Sequence, residues 1–520
     1  MTLALGLLVP LIAGVVLLAD VVRRRAAWLV VGASLVSLLL LALAWAGGST
    51  VDVAWLPALD LRLALAVDGL SGPLMVLTLV VVALAALVPP PMRRGMPSDG
   101  SPASIAASEH LSTYYALLVL TAAGALLTFA ARDAVLFVIA FECVLVPMWL
   151  LITRFGDPST RREAGWLFVL FTGLGSVTLL VGVLALVRLA GTSDLGALAA
   201  GAGSGLTPGQ QLLVAALLTA GLAIKVPVWP LHTWLPVAHS SAPTAGSMLL
   251  AAVLLKLGTY GLIRLPLATV PGGFADLGPV LGTIGVIGII WGGLVCLVEP
   301  ELKRLVAWSS VAHMGFVVLA LSTGTRTGVA AAVLGNLAHG VVSALLFAAV
   351  GVLKAQWGTG LMQDRPALRD SHPRLGVLLL VGLAAGAGLP GLAVFWGELG
   401  TLVAAWGPAA DRPAGYFAAL ALLAAIGAAL AGAYTVRVVR AVWLGDAGTG
   451  AGRSTQPGEG GSAAVPETSP DERETSFVVG RNDLVVLAVL AGLTVLLGVA
   501  PGLVMSVTQP VIDALPGVAR

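Results

Sequence analysis

Lysine is scarce in this sequence of 520 residues. Lysine and arginine together number 28, and only four of these residues are lysines. Charged residues make up 10% of the chain, whereas a soluble domain carries roughly 25%. Cysteine occurs only at Cys143 and Cys296, without the spacing of a metal or haem motif. The sequence also lacks a P-loop, a nucleotide-binding glycine fingerprint and the patches that bind nucleic acid. These absences argue against a soluble nucleotide-binding or nucleic-acid-binding protein, and against a redox centre in the chain itself.

Long apolar segments are abundant in the sequence, in which 58% of the residues are hydrophobic and the mean hydropathy is +0.99. Runs of about 20 apolar residues match the thickness of a bilayer core. They are too long and too regular in hydrophobicity for barrel strands, so we predict an all-α polytopic membrane protein of about fourteen helices. The predicted spans are 1–20, 27–46, 68–90, 111–130, 133–153, 164–189, 210–230, 243–264, 276–298, 303–322, 327–353, 375–405, 415–443 and 482–505.

The basic residues predict the orientation of this bundle. With fourteen spans, most arginines and lysines fall in connections on one side of the membrane, as in cytoplasmic loops. We therefore expect a multi-pass protein of a bacterial plasma membrane with both termini outside. Residues 446–480 are rich in Gly, Ser, Pro and charge, which predicts a disordered cytoplasmic loop.

Two predicted spans contain helix breakers near their centres. Pro227 and Pro230 follow Lys225 in one, and Pro390 lies among glycines in the other. Each proline removes an N–H and frees the carbonyl four residues earlier. Paired broken helices indicate inverted repeats with an ion site at the membrane midplane. We therefore predict two inverted five-helix repeats, spans 4–8 and 9–13. The predicted units are N-terminal helices and a loop at 1–110, a first repeat at 111–264, a second at 276–443, the 446–480 loop and a C-terminal helix at 482–520.

Charged residues within the apolar spans are the candidate functional residues. Lys225 and Lys256 lie there, although the chain uses arginine almost everywhere else. Arginine stays protonated, whereas a desolvated lysine can lose its proton, so the choice of lysine indicates a proton carrier. Glu142 and Glu398 are acids in equally apolar surroundings. A carboxylate about 4 Å from Lys225 would favour the ammonium by about 4 kcal/mol, so the distance from Glu142 would set its proton affinity. The alternatives are a neutral packing carboxylate and a lysine that snorkels to the interface.

The histidines form a second candidate group. His313 and His339 lie in consecutive spans and could relay a proton through their two ring nitrogens, or equally be satisfied core histidines. His232 and His239 follow the first helix break, where we expect a structural role or a role in proton uptake. No His and carboxylate spacing indicates a metal site. Asp68 is interpreted as a helix cap.

The segment from Lys225 to Arg264 (KVPVWPLHTWLPVAHSSAPTAGSMLLAAVLLKLGTYGLIR) resembles the antiporter-like subunits of respiratory complex I, the proton-pumping NADH:quinone oxidoreductase. Within that family it is most similar to the M-type subunits, the counterparts of mitochondrial chain 4. Residues 141–148, 302–316 and 388–398 carry the same resemblance. The sequence departs from the family pattern at Val237, which replaces the usual aspartate, and in residues 351–366 (GVLKAQWGTGLMQDRP).

The resemblance implies a role for each candidate residue. Glu142 and Lys225 would form a modulating pair, while Lys256 and Glu398 would continue a hydrophilic axis along the membrane midplane. His313 and His339 match the histidines of the family's central relay. A glutamate at 398 favours the M-type subunits over the multi-subunit cation/proton antiporters of the same ancestry, which typically have lysine there. Such an antiporter subunit is the alternative function.

The resemblance also implies the surroundings of the chain. NADH, FMN, the iron–sulfur clusters and quinone would be bound by other subunits, so we expect no cofactor and no metal in this chain. Its partners would be other membrane subunits of complex I, with L-type and N-type antiporter-like subunits on either side, and the lipid bilayer, but no nucleic acid. The implied function is translocation of protons along buried Glu, Lys and His residues, coupled to quinone reduction elsewhere in the complex. A membrane arm without pumping activity is a further alternative.

Overall fold

The computed structural model of the protein describes residues 1–20, 25–56, 61–91, 102–363, 366–445 and 479–519. Almost all of the predicted disordered loop at 446–480 lies outside these residues, so that prediction stays untested. Helices make up most of the described chain, which confirms the predicted helical membrane fold.

The N-terminal part consists of helices and one hairpin. Its elements are α1 (Thr2–Leu18), α2 (Ala26–Ala46), β1 (Val51–Leu56), β2 (Leu61–Leu65), α3 (Ser71–Leu87) and α4 (Pro102–Ala130). The two strands pair antiparallel, with Val51 opposite Leu65. The hairpin was not predicted, because its strands of six and five residues are too short to stand out between two long apolar runs.

The following elements build the first predicted repeat, together with α4. They are α5 (Ala134–Cys143), α6 (Leu145–Phe155), α7 (Arg161–Ala190), α8 (Leu195–Ala197), α9 (Pro208–Lys225), α10 (Trp234–Ser241), α11 (Thr244–Leu249) and α12 (Leu255–Leu262). Short π-helical stretches at Leu198–Ala202, Leu250–Leu254 and Ile263–Leu267 continue three of these helices. Such stretches often occur at functional sites, and the second directly precedes Lys256.

The remaining elements build the second predicted repeat and the C-terminus. They are α13 (Pro271–Val298), α14 (Leu302–Ser322), α15 (Arg326–Trp357), α16 (Leu368–Ser371), α17 (Pro373–Gly386), α18 (Ala393–Trp406), α19 (Ala414–Val438) with a π-helical stretch at Val439–Trp443, α20 (Arg481–Val499) and α21 (Gly502–Asp513). The span predicted at 482–505 ends earlier, because the chain turns at Pro501 before α21 begins.

Side-chain caps fix where several of these helices begin. Asp133 accepts hydrogen bonds from the amides of Val135 and Leu136 at the start of α5, each at 2.9 Å. Thr207 and Gln210 form a reciprocal capping box at the start of α9. Each cap satisfies backbone donors that a helix N-terminus leaves unpaired, which stabilises the helix by about 1 kcal/mol.

Helices occupy all fourteen predicted windows, but they differ in their ability to cross a membrane. In the described chain, ten helices have the length and apolar composition for crossing, and four shorter apolar helices add to them. The shorter ones are Thr2–Leu18, Ser71–Leu87, Pro373–Gly386 and Ala393–Trp406. The count of about fourteen spans therefore stays a prediction.

Both predicted helix breaks are present. Helix α9 ends at Lys225, and the next helix, α10, begins only at Trp234. Helix α17 ends at Gly386, and α18 begins at Ala393 after a turn with Gly388 at φ +69° and Gly391 at φ +85°. Non-helical backbone is tolerated at membrane depth where protein surrounds it. Residues 226–228 of the first break are buried in the bundle, whereas residues 389–391 of the second are exposed.

Asp68 joins the N-terminal part to the first predicted repeat. One carboxylate oxygen accepts hydrogen bonds from the amides of Leu70 and Ser71, each at 3.0 Å, which confirms the predicted cap of α3. The other oxygen lies 3.1 Å from Arg132 and in a still closer ion pair with Arg264. Burial opposes ionisation of this carboxyl, but the charges of Arg264 and Arg132 outweigh burial and hold the pKa of Asp68 well below its ordinary value.

Candidate functional site

Lys256 lies at the centre of the bundle with no exposed surface. Its ammonium donates a hydrogen bond to the carbonyl of Ala251 at 2.9 Å and contacts His339 Nδ1. Ala251 belongs to the π-helical stretch Leu250–Leu254, so the local winding of the helix places a carbonyl within reach of the lysine side chain. The contact with His339 joins the first predicted repeat to the second.

The two histidines of α14 and α15 continue this contact. The ring centroids of His339 and His313 are 5.7 Å apart. His313 Nδ1 in turn lies 3.3 Å from Glu398 Oε1. All three residues are buried. The structure therefore brings four of the predicted site residues into one column, which we call the central column: Lys256, His339, His313 and Glu398.

The turn between α17 and α18 covers the far end of the central column. A Cβ atom at Gly388 would lie 2.4 Å from Glu398 Oε2, closer than any real contact between such atoms. The turn therefore depends on the absence of a side chain there, and on a positive φ that glycine adopts without strain. The helix break thus positions the carboxylate of Glu398.

Lys225 and Glu142 are both in place, but they do not form a closed pair. The buried ammonium of Lys225 and the Oε1 atom of Glu142 lack hydrogen-bond partners within the described structure. Instead, Lys225 Nζ lies 4.5 Å from the centroid of the Phe141 ring. Glu142 is the charged residue that acts electrostatically on Lys225. The arrangement is that of a pair held apart, with Phe141 against the lysine.

His232 lies in the first helix break and His239 in α10, and both are outside the central column. His232 packs edge-on against Trp308, with ring centroids 5.3 Å apart. His239 has no exposed surface and stacks on Phe347 at 4.3 Å. The charges of Lys303 and Lys256 both act on the His239 ring. The two rings therefore pack against aromatic side chains, His239 in the interior and His232 in the break.

The sequence-based reasoning missed two functional candidates, Lys303 and Lys354. Lys303 is 3% exposed, and its ammonium donates a hydrogen bond to the carbonyl of Ala242. Lys354 contacts Asp157 at 3.4 Å and Glu301 at 3.9 Å. The scarcity of lysine was the signal that could have found them, because all four lysines of the chain occupy the interior or a cavity wall.

Further polar residues surround the central column. Thr259 donates a hydrogen bond to Asn336 Oδ1 at 2.9 Å, one turn from Lys256 and His339. Tyr434, which is also buried, lies near Glu398 and Ser309. These hydroxyl and amide groups add positions that donate or accept a proton beside the column.

Within the described part of the chain, no group of three or more His, Cys, Asp or Glu side chains is placed to hold a metal ion. The chemistry that the observed residues support is reversible protonation, because amines, imidazoles and carboxylates are in contact within an apolar bundle.

Comparison with known proteins places the site within a described family. A family model described as "NADH:quinone oxidoreductase/Mrp antiporter, TM" matches residues 131–424, which include every predicted site residue. The chain is 36% identical over 396 residues to NAD(P)H-quinone oxidoreductase chain 4 1 of Synechococcus sp. (strain JA-2-3B'a(2-13)), covering 75% of this chain and 71% of the relative.

Two further relatives extend over nearly the whole chain. NADH-quinone oxidoreductase subunit M of Rhodobacter capsulatus is 32% identical over 513 residues, covering 94% of this chain and 90% of that protein. A chain in the structure of respiratory complex I from Thermus thermophilus with bound NADH superposes with a TM-score of 0.80 at 26% identity, covering 99% of both chains. The likeness therefore includes the N-terminal and C-terminal helices outside the family model.

Proposed function

This chain belongs to the NADH:quinone oxidoreductase/Mrp antiporter transmembrane family, and on that basis we propose that it is a proton-translocating membrane subunit of an NADH:quinone oxidoreductase. The observation that carries the proposal is the central column, in which an amine, two imidazoles and a carboxylate follow one another through the bundle interior. Groups of this kind are costly in a membrane and typically mark ion pathways.

The central column supports transfer of a proton between the two predicted repeats. Lys256 and His339 are in direct contact, so a proton can move between Nζ and Nδ1. The two imidazoles are separated by a distance that one bridging water covers, and His313 then faces the carboxylate of Glu398. From there the proton would leave on the outer side, in line with the expected orientation.

The Glu142–Lys225 pair would control when the central column takes up a proton. In the open arrangement of this structure the lysine lacks a direct counter-ion, whereas closure to about 4 Å would stabilise the ammonium by about 4 kcal/mol. Opening and closing the pair would therefore change the proton affinity of Lys225. Energy for this change would come from quinone reduction in other subunits, which would also carry NADH, FMN, the iron–sulfur clusters and quinone.

The proposal also includes the membrane and the neighbouring subunits of the chain. The subunit would span a bacterial plasma membrane with both termini outside, between L-type and N-type antiporter-like subunits. The exposed apolar residues Trp166, Leu170 and Leu174 on α7 support such contacts with lipid or protein, because they lie on one face of a long helix.

Proton pumping by the whole complex in membrane vesicles tests the proposal. We expect Glu142→Gln to reduce the number of protons pumped per quinone reduced, because a neutral amide cannot stabilise the Lys225 ammonium by charge. Quinone reduction and complex assembly, measured in parallel, separate this effect from loss of the protein. Unimpaired pumping by Glu142→Gln would remove the pair from the mechanism.

The family description also includes Mrp antiporters, so a cation/proton antiporter subunit is the second candidate. An imposed sodium gradient across vesicles, without NADH, separates the two functions. Sodium/proton exchange under these conditions would favour the antiporter. A response only to NADH and quinone would favour the oxidoreductase subunit.

A further inference from the structure

Helix α18, which carries Glu398, touches the neighbouring helix α15 through its backbone. A Cβ atom at Gly397 would lie 2.6 Å from the Cα atom of Gly335, closer than real Cβ atoms approach other atoms. The two helices therefore meet where both residues lack a side chain, as small residues permit at helix interfaces in membranes. Gly335 lies one turn before His339 on α15. This contact therefore sets the height of Glu398 relative to the central column.

Helix α20 makes a second backbone contact, at the start of α18. A Cβ atom at Gly498 would overlap the carbonyl of Gly391 and the Cα atom of Leu392. Gly391 belongs to the second helix break, and Leu392 directly precedes α18. Helix α20 lies outside both predicted repeats and outside residues 131–424, which the family model matches. The first turn of α18 thus rests on a helix that is not part of either repeat.

A side-chain hydrogen bond reinforces the contact between α18 and α20. Trp396 Nε1 donates to the carbonyl of Gly498 at 2.7 Å. This carbonyl lies in the last turn of α20, where the helix offers no backbone donor to it. Trp396 is 38% exposed, whereas Glu398, two residues later on the same helix, is buried. The indole therefore holds α18 from the outside, while the carboxylate faces His313 on the inside.

We propose that α20 is a brace that sets the distance between Glu398 and His313, with Gly498 and Trp396 as positioning residues for proton transfer. The proposal rests on the proposed function, because the central column defines the proton path on which these residues act. Glu398 Oε1 lies 3.3 Å from His313 Nδ1, at the long end of the range for a hydrogen bond. A small displacement of the first turn of α18 therefore interrupts the central column at this step.

The reactivity of Glu398 towards an apolar carbodiimide tests the brace without turnover. Dicyclohexylcarbodiimide modifies carboxyl groups within membranes, and mass spectrometry of the peptide measures the modified fraction. We expect both Gly498→Ala and Trp396→Phe to raise the rate at Glu398 several-fold in the whole complex, because the carboxyl group then loses its contact with His313. Phenylalanine keeps an aromatic ring but has no N–H to donate. The rate at Glu142 in the same samples is expected to stay at the parent value, which shows that the fold is retained.

Each variant has a matched control on the same helix. Gly492→Ala adds a methyl group to α20 at a position where no neighbouring atom would lie within 4 Å of it. Trp406→Phe makes the same exchange near the end of α18, where the indole is 63% exposed. Both controls are expected to keep the parent rate at Glu398. A parent rate at Glu398 in both Gly498→Ala and Trp396→Phe, or an equal rise in the controls, would overturn the brace.

Proton pumping separates the brace from the proposed function. We expect Gly498→Ala and Trp396→Phe to lower the number of protons pumped per quinone reduced several-fold, while assembly and quinone reduction are retained. Normal pumping by variants with raised labelling of Glu398 would overturn the role of α20 in proton transfer and leave the proposed function intact. Normal pumping by Glu398→Gln would instead contradict the proposed function, and the labelling rates would still decide whether α20 positions this carboxylate.

Discussion

Lys256 is surrounded by groups that accept a hydrogen bond without carrying a negative charge. Its two partners are a backbone carbonyl and an imidazole, and the side chain has no exposed surface. A permanently charged cation in such a place would be stabilised by nothing but these dipoles. A lysine can instead exist without its proton, which arginine cannot do under ordinary conditions. The residue type thus matches proton transfer better than a role as counter-ion.

Substitution of Lys256 by arginine separates these two roles. We expect both Lys256→Arg and Lys256→Met to reduce proton pumping by at least about tenfold, which corresponds to only about 1.4 kcal/mol in the barrier. Arginine keeps the positive charge but holds its proton, so a normal rate in Lys256→Arg would show that the charge alone matters. Lys354→Arg is the control for the same exchange, because Lys354 makes ion pairs that arginine can also make. Pumping and quinone reduction are measured together in vesicles.

At the scale of the element, the break between α17 and α18 positions Glu398. Residues 387–392 are not helical, and Gly388 in that turn lies against the carboxylate of Glu398. Both Gly388 and Gly391 have positive φ angles, but a Cβ atom at Gly391 would meet no neighbouring atom. Gly388 and Gly391 therefore share a positive φ angle, but only Gly388 lies against the central column.

Alanine at each glycine distinguishes backbone strain from displacement of Glu398. Both Gly388→Ala and Gly391→Ala place a side chain in the left-handed region, at a cost of about 1–2 kcal/mol in stability. We expect only Gly388→Ala to reduce proton pumping strongly, because its methyl group pushes the carboxylate away from His313. Thermal stability of the purified complex and proton pumping are the two measurements. Equal loss of pumping in both variants would contradict this role of the turn.

At the scale of the whole molecule, Asp68 connects parts that are distant in sequence. It caps α3 and pairs with Arg132 before α5 and with Arg264 in the stretch Ile263–Leu267. Arg264 also donates a hydrogen bond to the hydroxyl of Tyr260, which bonds to the carbonyl of Phe129. The network therefore ties the N-terminal helices to the helix that carries Lys256.

Stability against acid tests the Asp68 network. Because the pKa of Asp68 is lower in the folded protein than in the unfolded chain, its contribution is present at neutral pH and is lost as pH falls below about 4. We expect Asp68→Asn to lower stability by about 2 kcal/mol at pH 7, since hydrogen bonds to charged groups contribute about 1.5–3 kcal/mol. The difference from the parent should shrink towards acidic pH.

Asp52→Asn is the matched control for Asp68→Asn. Asp52 pairs with Arg62 in the hairpin, but both side chains are largely exposed, and such pairs stabilise proteins by about 0–1 kcal/mol. Thermal unfolding of the purified complex at several pH values gives both results. A loss of stability in Asp68→Asn no greater than in Asp52→Asn would show that the network does not hold the molecule together.

The helices, the breaks and the buried charges could be predicted because each is a local signal. Apolar length marks a span, proline and glycine mark its interruption, and a lone charge inside it is conspicuous, as at Lys225 and Lys256. The contacts between these residues could not be predicted from one sequence. Lys256 and His339 are 83 residues apart, and Lys354 and Asp157 are 197 apart, so no spacing rule relates them.

The distance between Glu142 and Lys225 shows the same limit, since the sequence indicated a pair of variable separation but not which separation this structure has. In the structure Lys225 lies against the Phe141 ring, and neither its ammonium nor Glu142 Oε1 has a hydrogen-bond partner among the described residues. Likewise, nothing local to Lys354 indicated an ion pair with another repeat. Tertiary packing decides both outcomes.

The burial of the lysines gives the protein an unusual response to amine-directed reagents. Three of the four lysine side chains are almost inaccessible, and only Lys354 has an appreciable exposed fraction, at 30%. Acetylation of the native complex should therefore modify one lysine before all others, and mass spectrometry of its peptide would report how often that side chain swings free. A single chemical tag would thus report movement around Lys354 during turnover, without any engineered substitution.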